Sequence, residues 1–395
     1  MTTTDGFVAD HGFRAYLPLP KAERSGLGLC FSGGGYRASL FHAGAVRRLN
    51  ELGILSRAET ITSVSGGSIM SAQLATFRRS AGDAWKPGGP VPGFDEGFAR
   101  PLRRFMQTNI RTRAVLGRLL PNHWLDRNTA SNALAERYAD GPAPGRLGDL
   151  PEHPRFVLCA TDINHRTQWV FDAGRRLMGT DARMWPAADW PLARATAASS
   201  CLPGAFTSMR VKLDGGSVEL TDGGIYDNLG LEPVWRDHAA VLVSDAGPSF
   251  GPAPRDLAAA VWRGLRYAVT LVEQATDVRK RWLISNFIHG ELEGAYWGMG
   301  SFPSSYGSDA GYPDQLIEDV ISQMRIDLDV CSDAEIAVLE NHGYFMADVA
   351  IGKHAADLVA DDAPLNAPHS DWLDEAKVRR GLAESHKTKL FSRGW

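Results

Sequence analysis

Ser65 occupies the stretch Ser63-Val64-Ser65-Gly66-Gly67, after a run of alternating β-branched residues and before a stretch with helical character. A serine at a sharp strand-to-helix turn has its hydroxyl pushed out of the backbone, and the amides of the following helix point at it. The pattern is S-x-S-x-G, with small residues on both flanks. The same residues also make an unreactive Ser/Gly turn. A second element is Gly33-Gly34-Gly35, between an apolar run and a helical one. Successive glycines let backbone N–H groups converge on a negative charge, either a phosphate or the oxyanion of an acyl-transfer intermediate. Gly33-x-Gly35-x-x-Ala38 also satisfies the dinucleotide fingerprint. The acidic residue that fingerprint needs is at best Glu51, at the end of a helix, and no Walker lysine follows. The third element is Asp222-Gly223-Gly224. An aspartate before glycines is ordinarily a turn residue. A serine nucleophile, however, needs a base, and none of the 11 histidines lies in a glycine-flanked loop. His42 falls on the helix beside the glycine loop and reads as packed. His165 follows Asp162-Ile163-Asn164 and reads as a surface turn.

Positioning these residues requires a particular set of elements. Leu27–Phe31 is a short buried strand. Leu40, Ala43, Val46, Leu49 and Leu52 place a helix over 38–52, ending at Gly53. Thr60–Val64 is a second strand, and 68–79 a second helix. Two successive strand–glycine turn–helix units predict a parallel sheet with helices on its faces. Strands are expected at 155–161, 167–171 and 239–244, and a hairpin around Asp214-Gly215-Gly216. Leu192–Ser200 reads as a short helix. Residues 81–97 read as a loop and 98–140 as a helical insertion. Beyond 250, long helices are expected over 255–282 and 314–324, and Ser332-Asp333-Ala334-Glu335 is a capping box. The organisation expected is an arm over 1–25, a catalytic domain over 26–250 with an insertion over about 81–140, and a mainly helical extension over 251–395.

The chain has 395 residues, 44% hydrophobic and 22% charged, which fits one large folded domain with additions. A net charge of -4 argues against a nucleic-acid binder. Locally, six arginines and no acidic residue lie between Arg100 and Arg118. Phe98, Leu102, Phe105, Met106, Val115, Leu116, Leu119 and Leu120 are interspersed. Such a segment suits an anionic membrane surface, and equally an ordinary helix pair with a solvated basic face. Cys30, Cys159, Cys201 and Cys331 show no metal-ligand spacing and read as buried free thiols, which suits a reducing compartment. No signal peptide or membrane span is visible. A cytoplasmic location is expected, with any membrane contact peripheral on the inner face.

Together the three elements spell S-G-G-G-x-R, S-x-S-G-G and D-G-G, each in a strand-end loop. In this the chain resembles the patatin-like phospholipases over about residues 26–250. Two further stretches look like that family: Ala198-Ser199-Ser200-x-x-Pro203-x-x-Phe206, a segment that packs near its catalytic pair, and Ala160-Thr161-Asp162-Ile163-Asn164. The resemblance implies an α/β, three-layer α/β/α fold with a mostly parallel central sheet. It implies Ser65 as nucleophile and Asp222 as base of a two-residue dyad. The oxyanion would meet the loop Gly33, Gly34 and Gly35, supported by Arg37, with the Gly66 amide adding to it. No metal or cofactor is expected, and the substrate would be a phospholipid or other fatty-acyl ester. Two positions depart from the family pattern: Ser63 replaces the first elbow glycine, and Ser32 stands where many relatives have aspartate. A hydrolase of soluble esters, an inactive scaffold and a nucleotide-binding module stay open as alternatives.

Overall fold

The computed structural model describes residues 18–110, 129–203, 206–247, 260–360 and 363–385. In chain order its strands are β1 (Leu27–Phe31), β2 (Thr60–Val64), β3 (Arg155–Asp162), β4 (Thr167–Asp172) and β5 (Leu177–Thr180). Then come β6 (Arg183–Pro186), β7 (Met209–Leu213), β8 (Gly216–Asp222), β9 (Ala240–Asp245) and β10 (Glu293–Gly298). The helices longer than a single turn are α1 (Gly35–Glu51), α2 (Gly66–Ala81), α3 (Arg100–Met106) and α4 (Thr129–Ala139), followed by α5 (Leu192–Ser200), α6 (Ala260–Ile288), α7 (Asp333–His354) and α8 (Glu375–Leu382). The strands form one sheet in the order β10-β9-β1-β2-β3-β4-β5-β6, with β8 on β3 and β7 on β8. From β10 to β3 every pair is parallel, and the antiparallel strands are built outward from β3.

Alternation along the strands divides the core into two. Leu27, Leu29 and Phe31 of β1 point to the face packed by α1, α2 and α7. Cys30 points to the other face. There Val241 and Val243 meet Leu229, Leu231, Val234 and Trp235 of the segment after β8, and Leu283 of α6. Strands buried on both faces read as continuous apolar runs, which is why LGLCF signals a central strand. The result is the three-layer α/β/α sheet architecture expected from the sequence.

Both glycine-turn helices begin earlier than their apolar pattern does, at Gly35 and Gly66, because the glycines that open them carry no side chain to mark the first turn. The hairpin forms on Asp214-Gly215, with Leu213 opposite Gly216. The Ser332 hydroxyl accepts the Glu335 amide at 3.2 Å, and the Glu335 carboxylate accepts the Ser332 amide at 2.7 Å, completing the capping box. The second expected long helix, 314–324, is instead a single turn, Asp314–Leu316, continued by a π-helical turn, Ile317–Ile321. The C-terminal segment is mainly helical, but its strand β10 extends the same sheet through β9.

Over its described residues, the insertion departs from a lipid-facing role. Phe98, Leu102 and Met106 are fully buried in the main core, and Phe105 packs against Tyr36 and Tyr138. Arg103 is ion-paired with Glu340, and Arg100 with Glu96. Val115, Leu116, Leu119 and Leu120 lie outside the described residues. The exposed large apolar side chains include Tyr267, Leu271, Val278 and Ile288, all on α6.

α7 crosses α1 at a glycine on each helix. A Cβ at Gly44 would lie 1.9 Å from the Glu340 carbonyl oxygen, and one at Gly343 1.8 Å from that of Phe41. Neither neighbour is a movable side chain. Gly343→Ala is therefore expected to destabilise the chain by about 2 kcal/mol or more, through forced separation of two packed helices. Equilibrium denaturant unfolding measures this, and an unchanged midpoint would contradict the contact.

Candidate active site

The site forms along one edge of β3. β2 pairs with Arg155–Cys159, while β8 pairs antiparallel with Ala160–Asp162. β4 occupies the other edge over Val157–Asp162. β2 and β8 therefore run towards each other along the same edge. Their last residues, Val64 and Asp222, sit opposite consecutive residues of β3, Cys159 and Ala160. Ser65 follows Val64 directly, so positions 157 residues apart in sequence meet where two strand ends converge.

Ser65 turns the chain from β2 into α2 with φ 50° and ψ −117°, a conformation that non-glycine residues rarely hold. It is half-buried. Its amide donates to the Ser199 hydroxyl at 3.0 Å. The turn closes only because Gly67 has no side chain: a Cβ there would lie 2.4 Å from the Phe31 carbonyl oxygen. Ser63 fits without distorting the elbow. Its buried hydroxyl accepts from Ser68 at 3.1 Å.

Asp222 is buried, and one carboxylate oxygen accepts the Gly224 amide at 2.8 Å. Burial pushes its pKa up to about 6, against the opposing pull of the Gly224 amide and of the facing Ser65 hydroxyl. Its backbone is fixed as well. The Thr161 hydroxyl donates to its carbonyl at 2.9 Å, and its amide donates to Cys201 O at 3.3 Å.

The Gly33-Gly34-Gly35 loop lies against this pair. A Cβ on Gly33 would stand 3.1 Å from that of Ser65, and one on Gly66 2.0 Å from the Gly35 carbonyl oxygen. The glycine loop and the elbow thus touch backbone to backbone. The Gly33 amide is already spent, donating to Asn228 O at 3.1 Å, and Tyr36 N–H donates to Asp327 O at 2.9 Å. Between them, the Gly34 and Gly35 amides have no acceptor among the described residues. The N-termini of α1 and α2 both open here, which favours negative charge.

Arg37, expected among the oxyanion and substrate-binding residues, acts at a distance. It is buried, and its two terminal nitrogens donate to the carbonyls of Met324, Ser322, Ala246 and Gly247, at 2.9, 3.4, 2.9 and 2.8 Å. With those donors spent on protein carbonyls, it clamps the glycine loop to the chain after β9 and to the 322–324 segment. Ser32 anchors the loop in a similar way, its hydroxyl accepting the Ala246 amide at 2.7 Å. Asn228, just beyond the D-G-G turn, carries no sequence signal of a role. Its carbonyl ties that turn to the glycine loop, a contact that only the fold reveals.

Of the two histidines nearest these motifs in sequence, neither joins Ser65 and Asp222. His42 is buried between the Ser244 hydroxyl (2.8 Å) and Ser32 O (3.0 Å), and burial lowers its pKa to about 4. His165 is exposed and pairs with Asp162 at 2.7 Å. All four cysteines are buried free thiols. Among the described residues no cluster has a metal-ligand arrangement, and no helix is long and apolar enough to cross a membrane.

No curated protein matches the chain. Among solved structures it is similar to VipD from Legionella pneumophila, with 15% identity, TM-score 0.37, and 85% of this chain and 68% of that one covered. It is also similar to human GIVD cytosolic phospholipase A2 in complex with methyl gamma-linolenyl fluorophosphonate. That match has 11% identity and TM-score 0.50, covering 98% of this chain and 63% of that one. The same human protein, with the inhibitor and terbium chloride, matches at 14% identity and TM-score 0.40, over 64% of this chain and 48% of that one. The chain thus spans about half to two thirds of the human chains, and at these identities the likeness concerns the fold alone. Residues 29–235, more than half of the chain, match the family described as patatin-like phospholipase, and the chain belongs to that family.

Proposed function

We propose that the protein hydrolyses fatty-acyl esters of lipids, phospholipids foremost, through Ser65 and Asp222 by way of an acyl-enzyme. The observation that carries this reading is the convergence of β2 and β8 on β3, which sets an outward hydroxyl against a buried carboxylate beside two amides that have no acceptor among the described residues. Asp222 takes the Ser65 proton as the hydroxyl oxygen attacks the ester carbonyl. The carbonyl oxygen gathers negative charge and is met by the Gly34 and Gly35 amides, with Gly66 N–H adjoining. Each such donor typically contributes roughly 3–4 kcal/mol. The bond to the alcohol then breaks, and the proton on Asp222 leaves with the alcohol. Water attacks the acyl-enzyme, gives its proton to Asp222, and releases the fatty acid as Ser65 regains a proton.

Packing favours this reading over a nucleotide-binding loop. A Cβ on Gly34 would lie 2.3 Å from the Ala246 carbonyl oxygen, and the Gly33 amide already has an acceptor. Protein, rather than an open cradle, surrounds much of the turn. The fit of Ser63 likewise counts against an elbow too crowded to react.

Ser65→Ala is expected to lower p-nitrophenyl ester hydrolysis by about a thousandfold or more, and to abolish fluorophosphonate labelling. Turnover at the wild-type rate would remove the nucleophile assignment.

A second expectation concerns pH. Catalysis needs Asp222 ionised, so kcat/KM is expected to rise through about pH 6 and level off above it. The same raised pKa makes ionisation of Asp222 a cost to the folded state. That cost is fully present above the folded pKa of about 6 and absent below the ordinary value of 3.8. Asp222→Asn is therefore expected to abolish hydrolysis yet unfold at a higher temperature than wild type at pH 8, with the advantage vanishing below about pH 4. A thermal-melt series of both proteins across pH checks the sign.

A further inference from the structure

The segment Ala198-Ser199-Ser200 takes no part in the chemistry above, yet it touches both halves of the site. The Ser199 hydroxyl accepts the Ser65 amide at 3.0 Å. Its carbonyl accepts the amide of Gly223, the residue after Asp222, at 3.2 Å. The next carbonyl but one, that of Cys201, accepts the amide of Asp222 itself at 3.3 Å. The Ser199 proton goes to the Cys159 carbonyl at 2.6 Å, on the β3 residue opposite the end of β2. Ser199 thus joins the two converging strand ends and the strand beneath them.

We propose that Ser199 is the positioning residue that sets the nucleophile against its base, an inference that rests on the hydrolase reading above. The nucleophile's backbone is strained, and a strained turn persists only where its surroundings over-determine it. An amide held by a fixed acceptor supplies that determination. Ser199 is fully buried at the end of α5, which is itself pinned where Ser200 bonds Tyr138 at 2.9 Å. With its own proton committed to Cys159 O, the Ser199 oxygen serves as acceptor, for Ser65 N–H and for the Ser68 hydroxyl at 2.8 Å. Ser68 has one proton and a second acceptor, Ser63, at 3.1 Å. The serine at the first elbow position therefore joins the cluster of hydroxyls that braces the turn from below.

Ser199→Ala releases the Ser65 amide and leaves the Cys159 carbonyl without its donor. The kinetic comparison uses a p-nitrophenyl ester, with active sites counted by fluorophosphonate labelling so that misfolded protein does not enter kcat. The expected result is a kcat lower by about 10- to 100-fold with KM within about twofold, because Ser199 is buried beneath the turn. The pH profile separates positioning from plain destabilisation. The Ser65 hydroxyl lowers the pKa of Asp222, so a nucleophile that drifts from its base lets that pKa climb. The acid limb of the kcat profile moves upward. Ser68→Ala, which leaves Ser199 its two other bonds, is expected to lose about 3- to 10-fold with a smaller shift in the same direction, and decides the matter if Ser199→Ala fails to fold. Wild-type kcat in these variants overturns the proposal, and so does a lowered kcat with an unmoved acid limb. A wild-type protein that neither turns over ester nor labels at Ser65 defeats the hydrolase reading itself, and this inference with it.

Discussion

The arrangement depends on β3 lending one edge to two strands that approach from opposite directions. β4 covers the other edge, and both faces of β3 are buried, so neither β2 nor β8 can move aside. Hydrogen-bond register then fixes where each strand stops. Val64 stands opposite Cys159 and Asp222 opposite Ala160. A slip of one residue in either strand would turn its side chains to the other face of the sheet. Sheet register therefore fixes where the two chains leave β3, the elbow turn beyond Val64 completes the placement of the hydroxyl, and rigid elements hold a site more closely than loops do.

Several local features around this junction are unfavourable in isolation. Ser65 holds a positive φ, Asp222 is a carboxylate taken out of water, and Arg37 is a buried cation. Each is offset by neighbours that serve the same end. The Gly224 amide partly stabilises the Asp222 carboxylate. Arg37 faces four carbonyl oxygens, and burial lowers its pKa only to about 10, so it stays charged at neutral pH. Its position explains how a segment remote in sequence reaches the site. Met324 and Ala246 meet on one guanidinium, which draws the chain after α6 against the glycine loop.

Much of the parallel core is legible in the sequence because it depends on local patterns. LGLCF and TITSV are apolar or β-branched runs between turn residues, and each is followed by glycines and a helical period. The glycine turns, the elbow serine and D-G-G can be read as chemistry for the same reason. What the sequence hides depends on contacts between distant segments. β5, LMGT, and β6, RMWP, are short strands whose pairing, not their pattern, makes them strands. β10, EGAYWG, carries two glycines and looks like a loop. Gly294 is needed there because a Cβ would lie 1.9 Å from Val241 O. The basic insertion has an amphipathic pattern suited to lipid, but the apolar side of α3 faces the protein core, and the identity of an apolar face's partner is not encoded in its period. The motif places Arg37 beside the glycine loop; which atoms it holds is invisible without the fold.

The proposed chemistry also accounts for the use of a carboxylate where a histidine would be the familiar base. An efficient base needs a proton affinity near the working pH, and imidazole has that without adjustment, with an ordinary pKa near 6.5. Burial gives Asp222 a comparable value, about 6. The same burial acts on His42 in the opposite sense, lowering it to about 4, because desolvation penalises a cation as it penalises an anion. In this dry interior an aspartate is tuned towards the working range and a histidine away from it. A carboxylate also has no tautomer to select, so no third residue is needed to orient a ring. The Gly224 amide fixes one oxygen and the other is left for the proton. A two-residue pair is thus the simpler solution wherever the fold can keep the base dry.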